Sequence, residues 1–275
     1  MSHGPRAAVI APEGRCLVDF DADSLHFREA AFLSQDPFMC EAFARYDASG
    51  DPQWKPHVRN TMALFDVTVE QAIEWMNTKA PQYTFSKNFI YMYLNGGDVP
   101  ALANAAVSAG LVMDEKEVGS LLKSWQRYAI IFEQWRKDLI AEACKTGSVT
   151  LPDGRRRRFY DMRWSNGQWH PSKDARKEIY NAPLIGMEVS YTNPRYRGLL
   201  DLTQNQYQAW KFVHHEHDGC MMEGPENPVL VELFLKQAFS ILEHPFDFGG
   251  RKFNCPWDAK WGKCWADLKP WNRRK

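Results

Sequence analysis

Residues 17–24, LVDFDADS, are the stretch from which the rest of the chain can be interpreted. Leu17, Val18 and Phe20 favour a β-strand, and acids occupy positions 19, 21 and 23. Because side chains alternate between the two faces of a strand, we expect these carboxylates on one face. Carboxylate oxygens are ligands that suit Mg²⁺, and a bound cation would relieve their mutual repulsion. A solvated edge strand explains the same pattern without a ligand.

The following residues favour a metal site. Residues 21–36, DADSLHFREAAFLSQD, resemble the first palm motif of the DNA polymerase I family (family A). In that motif a metal-binding aspartate is followed by a small polar residue, a glutamate and an arginine, then by a helix ending in Leu-Ser-x-Asp. The register set by Arg28 and by the closing LSQD makes Asp21 the metal-binding aspartate.

Two positions of this motif differ from the family pattern. Asp23 replaces the usual serine, and His26 replaces the glutamate that excludes the ribose 2′-hydroxyl in the family. The resemblance implies that His26 and Arg28 lie at the incoming nucleotide. Metal contact by Asp19 or Asp23 stays open.

Bulk composition excludes some classes of protein. No apolar run approaches the roughly 18–20 residues of a membrane span, and the N-terminus has no signal-peptide pattern. Six cysteines without paired spacing indicate reduced thiols and a cytoplasmic protein, in the host cytoplasm if phage-encoded. The formal net charge is zero, and the basic clusters at 155–158, 195–197 and 273–275 are typical of a solvated surface.

A second informative stretch is 85–97, FSKNFIYMYLNGG, in which Lys87 and Tyr91 share one helix face. This spacing is common in ordinary helices. With the first motif, however, it resembles the fingers helix of family A, whose arginine, lysine and aromatic residue bind the nucleoside triphosphate. The resemblance assigns substrate binding to Lys87 and Tyr91, and Tyr83 replaces the arginine.

Residues 146–160, TGSVTLPDGRRRRFY, predict a hairpin with its turn at 152–154. The stretch resembles the family element Gly-x-Val-x-Thr-x-x-Gly-Arg-Arg-Arg. That resemblance implies primer–template backbone contacts for Arg155, Arg156 and Arg157. Surface solubility is the other explanation for these arginines.

Residues 181–186, NAPLIG, resemble the family junction Asn-x-Pro-x-Gln-Gly, whose asparagine and glutamine face the duplex minor groove. The resemblance implies DNA contacts for Asn181 and for Lys177, which replaces an arginine. Ile185 replaces the glutamine. We expect Pro194 to interrupt the helix that follows.

The last motif lies in 210–225, WKFVHHEHDGCMMEGP, which predicts a β-hairpin with Asp218-Gly219 at the turn. It resembles the family's His-Asp-Glu motif. The register set by the closing MMEGP makes His217 a DNA contact and Asp218 the second metal-binding aspartate. A register that starts at His214 would remove that aspartate. A third explanation is zinc, whose candidate ligands are His214, His215, His217 and Cys220.

The resemblance runs from about Val9 to about Trp265, with five motifs in family order. It implies an α+β fold: an antiparallel-sheet palm (1–66 and 146–275) with a helical fingers subdomain (67–145) inserted between Asp21 and Asp218. No thumb or exonuclease domain is expected in this chain.

The implied function is template-directed DNA synthesis from dNTPs on primer–template DNA, with two Mg²⁺ ions held by Asp21 and Asp218. Only about twenty residues precede Asp21, so we expect a protein partner that supplies thumb and exonuclease, as in a split phage-type polymerase. Two alternatives are a catalytically weakened nucleic-acid-binding subunit and a polymerase with RNA specificity.

Overall fold

The computed structural model describes residues 4–271. In chain order its helices are α1 (Leu25–Ser34), α2 (Pro37–Ser49), α3 (Pro56–Phe65), α4 (Val69–Asn77), α5 (Pro81–Leu94), α6 (Val99–Ser108), α7 (Glu115–Gln126), α8 (Ile130–Thr146), α9 (Lys173–Asn205) and α10 (Pro228–Leu242). Its strands are β1 (Arg15–Ala22), β2 (Ser148–Thr150), β3 (Arg156–Arg158), β4 (Met162–Ser165), β5 (Gln168–Pro171), β6 (Lys211–Glu216), β7 (Gly219–Pro225), β8 (Phe246–Phe248), β9 (Arg251–Phe253), β10 (Trp257–Gly262) and β11 (Lys269–Pro270).

The chain divides into two units. The sheet unit contains the residues up to Leu25 and from Glu188 onward, and the helical unit contains His26–Met187. Residues 26–66 and 146–187 belong to the helical unit. The palm and fingers limits at 66/67 and 145/146 stay a prediction. None of the helices in 4–271 is long and apolar enough to cross a membrane.

The sheet unit is built on a five-stranded antiparallel sheet in the order β11-β10-β1-β7-β6. Its central strand β1 alternates as the sequence indicates. Val18 and Phe20 are fully buried, and the Phe20 ring lies 6.5 Å from Phe234 and 5.7 Å from Phe239 on α10. This apolar face fixes the register, so the odd-numbered residues Asp19 and Asp21 must occupy the other face.

A glycine allows the sheet to close tightly near α10. The Trp210 ring stacks on Phe234 at 3.9 Å, and a Cβ built at Gly224 would lie 2.2 Å from Trp210. Any larger residue at Gly224 would therefore displace the ring.

The helical unit packs around Trp125, whose Nε1 donates to Asn60 Oδ1 at 2.6 Å, while Asn60 Nδ2 donates to the Ser86 carbonyl at 2.7 Å. Asp36, at the end of the first motif, is 1% exposed. Its Oδ1 accepts from the N-terminal amides of α2, and its Oδ2 accepts from the Ile131 and Phe132 amides of α8, each at 3.0 Å. One buried carboxylate thus caps two helices.

The predicted hairpin turn at 152–154 is confirmed between β2 and β3. Neighbouring residues also explain several helix starts. Asp36 caps α2, which begins at Pro37. Thr68 caps α4 by accepting from the Gln71 amide, and α10 begins after the cap Asn227.

The prediction that Pro194 interrupts a helix is wrong, because α9 runs from Lys173 to Asn205. Residues on both sides of Pro194 are buried, including Tyr191 and Leu199. In addition, Arg195 Nη1 donates to the Tyr191 carbonyl at 2.7 Å. The packing of these buried residues outweighs the local cost of the proline.

Arg195 also corrects the expectation of a solvated basic cluster at 195–197. It is 4% exposed, and its Nε donates to the Leu242 carbonyl at 2.7 Å. The basic residues 273–275 lie outside the described residues. All six cysteines are free thiols.

Candidate active site

The site is assembled where β1 ends and the β6–β7 hairpin turns. Asp21 pairs in register with Gly219, and the Ala22 amide donates to the Asp218 carbonyl at 3.1 Å. These backbone contacts bring Asp21 and Asp218 together, although 196 residues lie between them in the sequence. The predicted convergence of the two aspartates is therefore present.

The turn itself consists of His217 and Asp218, and Gly219 already belongs to β7. The predicted turn was one residue too late. His217 has φ of 48°, in the left-handed region. The Tyr196 hydroxyl lies 3.1 Å from both the His217 and the Gly219 carbonyl oxygens, which holds this turn from α9.

Asp21 is electrostatically strained. Asp21 is exposed at the surface of the sheet. Desolvation of its carboxyl by the surrounding protein, followed by the charge of Asp218, raises the pKa of Asp21 to about 6. Asp19 and Asp258 act in the same direction, and Lys260 opposes them. The folded chain holds a carboxylate that a nearby cation would stabilise.

A cavity of about 280 Å³ lies over these residues. Its acids are Asp19, Asp21, Glu216 and Asp218, and its cationic residues are Arg6 and Lys260. We call it the carboxylate cavity. Every residue that lines it belongs to the sheet unit.

The residues present fit a Mg²⁺ ion that is bound jointly by the protein, substrate phosphates and water. Within 4–271 there is no group of three or more His, Cys, Asp or Glu side chains placed to hold a metal. Mg²⁺, however, is usually bound by only one or two carboxylates together with substrate phosphates and water. Asp21 and Asp218 provide such a pair.

The other acids of the opening stretch are placed differently. Asp19 shares the face of Asp21, whereas Asp23 lies in the turn beyond β1 and accepts from Ser24 Oγ at 3.0 Å. The expectation of three carboxylates on one strand face is therefore wrong for Asp23, since the strand ends at Ala22.

The histidines offered as zinc ligands are dispersed. The His214 ring lies 5.9 Å from Trp265, and the His215 ring lies 5.7 Å from Tyr196. His217 is 80% exposed, with Nδ1 3.9 Å from Glu188 Oε1. Cys220 is buried on β7, where burial raises its thiol pKa. The set does not converge on one point.

In the helical unit, α5 presents the predicted substrate residues along one side. Lys87 is exposed, and Tyr83 and Tyr91 are half-buried one turn on either side of it. The Tyr91 ring lies 6.1 Å from His57. The predicted common face of Lys87 and Tyr91 is confirmed.

His26 and Arg28, the other site residues of the first motif, differ in exposure. His26 is half-buried at the start of α1. Arg28 is 4% exposed, donates to both Asp47 oxygens at 2.7 and 2.9 Å, and lies 4.4 Å over the Phe43 ring. These contacts favour a structural role for Arg28 over direct contact with a substrate.

The predicted DNA-contacting arginines are all exposed on the β2–β3 hairpin. Arg155 pairs with Asp153 at 2.6 Å, Arg156 donates to Ser148 Oγ at 2.6 Å, and Arg157 lies 3.5 Å from Glu178. Their guanidinium groups are accessible to a polyanion, whose binding would replace these surface contacts.

Lys177 lines a second cavity, of about 420 Å³, within the helical unit. Its cationic residues are Arg136, Lys137, Lys173, Arg176 and Lys177, and we call it the basic cavity. Arg136 is 8% exposed, with its guanidinium carbon 4.2 Å from the Tyr93 ring centre and 3.9 Å from that of Tyr180. Asn181 is one turn beyond Lys177 on α9, and Ile185 is 46% exposed.

Sequence reasoning missed two contributors to the carboxylate cavity. Lys260 lies in the strand WDAKWG, whose alternation is visible in the sequence, but nothing in that stretch indicates that it pairs with β1. Tyr196 has no local signal, because its role depends on the hairpin that packs against α9.

No protein-family model matches this chain, and no curated protein matches it. Its structure is similar to a solved structure described as the POL domain of Pol1 from M. smegmatis in complex with DNA primer-template and dNTP. The TM-score is 0.74 at 18% sequence identity, over 95% of this chain and 42% of that chain. This chain therefore spans less than half of its neighbour, and it has an α+β fold with an antiparallel sheet like that of the polymerase domain.

Proposed function

We propose that this chain is the palm-and-fingers part of a DNA-directed DNA polymerase of family A type. The observation that carries the proposal is that Asp21 of β1 and Asp218 of a distant hairpin lie next to each other and line one cavity on the face of an antiparallel sheet. The polymerase-domain fold supports it. Phosphoryl transfer relies mainly on positioning and on neutralising charge, which such a site can provide.

Asp21 and Asp218 would hold the Mg²⁺ ions, and their hard oxygen ligands suit that metal. When bound, two such ions activate the primer 3′-hydroxyl and neutralise charge on the triphosphate and departing pyrophosphate. The chain's own contribution is to keep both carboxylates fixed next to each other. The backbone bond from Ala22 to Asp218 and the Tyr196 hydroxyl hold the turn in place for this role.

Substrate recognition is assigned to the helical unit. Lys87, exposed on α5, would neutralise phosphate charge on the incoming dNTP, and Tyr91 would contact its sugar and base. His26 would take the place of the family's glutamate near the ribose 2′-position. An imidazole can be neutral and can donate a hydrogen bond, so we expect weaker rejection of ribonucleotides.

Primer–template DNA would be bound by exposed cations and polar groups. Arg155, Arg156 and Arg157 would contact the phosphate backbone, and Lys177 and Asn181 would contact the duplex from α9. His217, at the hairpin turn, would contact the primer end. Because phosphate contacts release counterions, binding should weaken steeply with salt.

Primer extension with dNTPs, and then with NTPs, tests the proposal and separates its alternatives. Incorporation of dNTPs supports a DNA polymerase, and a preference for NTPs supports RNA specificity. Binding of primer–template without incorporation of either supports a catalytically weakened subunit. The departures from the family pattern at Tyr83, Asn95, Ile185 and Gly219 motivate that last alternative.

The need for a protein partner stays a prediction. A partner supplying thumb and exonuclease should increase the number of nucleotides added in each binding event. Gel filtration and processivity measurements on the purified chain test it. A monomer that synthesises processively alone would contradict it.

A further inference from the structure

A cation lies beside the carboxylate pair that the proposed mechanism does not use. Lys260 on β10 pairs in register with Asp19 on β1, while Asp21 pairs with Asp258. Paired residues of antiparallel strands share a face. Lys260 therefore projects from the same face as the proposed metal ligands, and it lines the carboxylate cavity.

Lys260 is available to a ligand. Its side chain is exposed, and within the described residues its Nζ donates no hydrogen bond and forms no ion pair. It nevertheless acts on both Asp19 and Asp21, lowering the pKa of each against the effect of burial. The charge of Lys260 thus acts on the two carboxylates, although its ammonium group forms no ion pair with either of them.

A second cation extends the same edge of the cavity. The Arg6 guanidinium carbon lies 4.6 Å from the centre of the Trp265 ring. Burial raises the pKa of Asp19, and the positive charges of Lys260 and Arg6 lower it. Arg6, Lys260 and Trp265 therefore form one cluster around Asp19, which we call the Asp19 cluster.

Spacing along β1 indicates what the cluster could contact. Two residues along a strand span about 6.6 Å, so Asp19 lies that far from Asp21. One strand of duplex DNA carries a phosphate every 3.4 Å or so of helix axis. Successive phosphates of one strand also wind around that axis, so they are farther apart in space than about 3.4 Å, and a cation beside Asp19 lies within about two phosphates of Asp21.

We propose that Lys260, assisted by Arg6, binds a backbone phosphate of the primer strand within about two nucleotides of its 3′ end. This inference rests on the proposed function and deepens it. A polyanion drawn onto a cavity with four acids needs cations beside the reacting position. Lys260 and Arg6 are the cationic side chains that line this cavity among the described residues.

The first experiment compares Lys260→Gln with Lys269→Gln. Lys269 is exposed on β11 and pairs with Trp261, on the opposite face, so it matches Lys260 in charge but not in direction. Binding of a dideoxy-terminated primer–template is measured by fluorescence anisotropy in Ca²⁺ at several salt concentrations. Lys260→Gln should weaken binding about tenfold and reduce the salt slope by about 0.9. Lys269→Gln should change neither.

A second measurement separates phosphate binding from damage to the metal site. Mn²⁺ binding to the chain without DNA is followed by electron paramagnetic resonance. Removing a positive charge beside Asp21 should leave Mn²⁺ affinity equal or higher in Lys260→Gln. Weaker Mn²⁺ binding would show that Lys260 supports the carboxylates and would overturn the proposal.

The third measurement locates the phosphate. Primers carrying one neutral methylphosphonate linkage at successive positions are bound by wild type and Lys260→Gln. At the contacted linkage the two changes should not add, because each removes the same interaction. Full additivity at every linkage overturns the proposal, as does an effect of Lys260→Gln confined to the KM for dNTP. Since these are binding measurements, they decide the phosphate contact even if primer extension fails.

Discussion

The two cavities carry opposite charge in a chain whose formal net charge is zero. The carboxylate cavity has four acids, and the basic cavity has five cations. In the basic cavity, Lys173 pairs with Asp98 at 2.6 Å, which lowers the pKa of Asp98, and Arg136 lies between two tyrosine rings. In the carboxylate cavity, Asp21 and Asp218 repel each other.

The two charge clusters differ in how far neighbouring side chains neutralise them. Three of the five cations in the basic cavity have an acidic partner in the same unit: Lys173 with Asp98, Arg136 with Glu133 and Lys177 with Asp174. The Asp21–Asp218 pair is only partly compensated, and its pKa shift is typical of functional sites. The net charge of the chain indicates neither charge cluster, because both depend on which side chains the fold brings together.

The largest expected effect is on catalysis. Asp21→Asn and Asp218→Asn should each lower the incorporation rate about 1000-fold, because each removes a metal ligand and its charge. Neither should lower the melting temperature, since asparagine preserves shape and relieves repulsion. Single-turnover kinetics and thermal unfolding check this, with Glu232→Gln on the exposed side of α10 as control. Near-wild-type turnover of Asp218→Asn would show that the hairpin register is wrong and make Glu216 the next candidate.

The basic cavity should respond in stability instead. Arg136→Met removes a buried cation from two aromatic rings and from Glu133, 3.8 Å away. We expect the free energy of unfolding to fall by about 3 kcal/mol. Urea denaturation measures it, with the exposed neighbour Lys137→Met as a matched control. Equal, small effects of both variants would show that Arg136 is not a structural element.

Stability of the metal-free chain should depend on pH through Asp21. Its pKa rises from 3.8 to about 6 on folding, so the folded state favours the protonated acid. The resulting stabilisation is present below about pH 4 and is lost as the pH rises through 6. The wild type should lose stability relative to Asp21→Asn over that interval, as measured by urea denaturation. A constant difference would mean that Asp21 is not strained.

A smaller effect is expected at Tyr91. The family resemblance implies that its hydroxyl substitutes for the missing 3′-hydroxyl interaction of a dideoxynucleotide. Tyr91→Phe should therefore increase discrimination against dideoxynucleotides about fivefold, the value of one hydrogen bond. Competition between dNTP and ddNTP in primer extension measures the ratio. An unchanged ratio would remove Tyr91 from the sugar pocket.

Much of this fold is encoded locally. Neighbouring residues decide several local features, so the sequence predicts them. These are the alternation in β1, the caps Thr68 and Asn227, and the turn at 152–154. Asp218 could be found because the hairpin fixes its place next to β1. How close Asp218 lies to Asp21 depends on the pairing of β1 with β7. In the sequence, only the family resemblance suggests that pairing.

The missed features depend on contacts between distant segments. Pro194 stays helical because packing around Tyr191 and Arg195 outweighs proline's local cost. Arg28 looks like a free cation until Asp47 is folded against it. Lys260 joins the carboxylates only through the pairing of β10 with β1. None of these has a local sequence pattern.

The most direct test of the central claim is single-nucleotide incorporation on four primer–templates that differ only in the templating base. The account predicts that the purified chain, in Mg²⁺, adds only the complementary dNTP to each primer, and that Asp21→Asn abolishes this addition. Failure to add any nucleotide, or addition that ignores the template or survives Asp21→Asn, would contradict it.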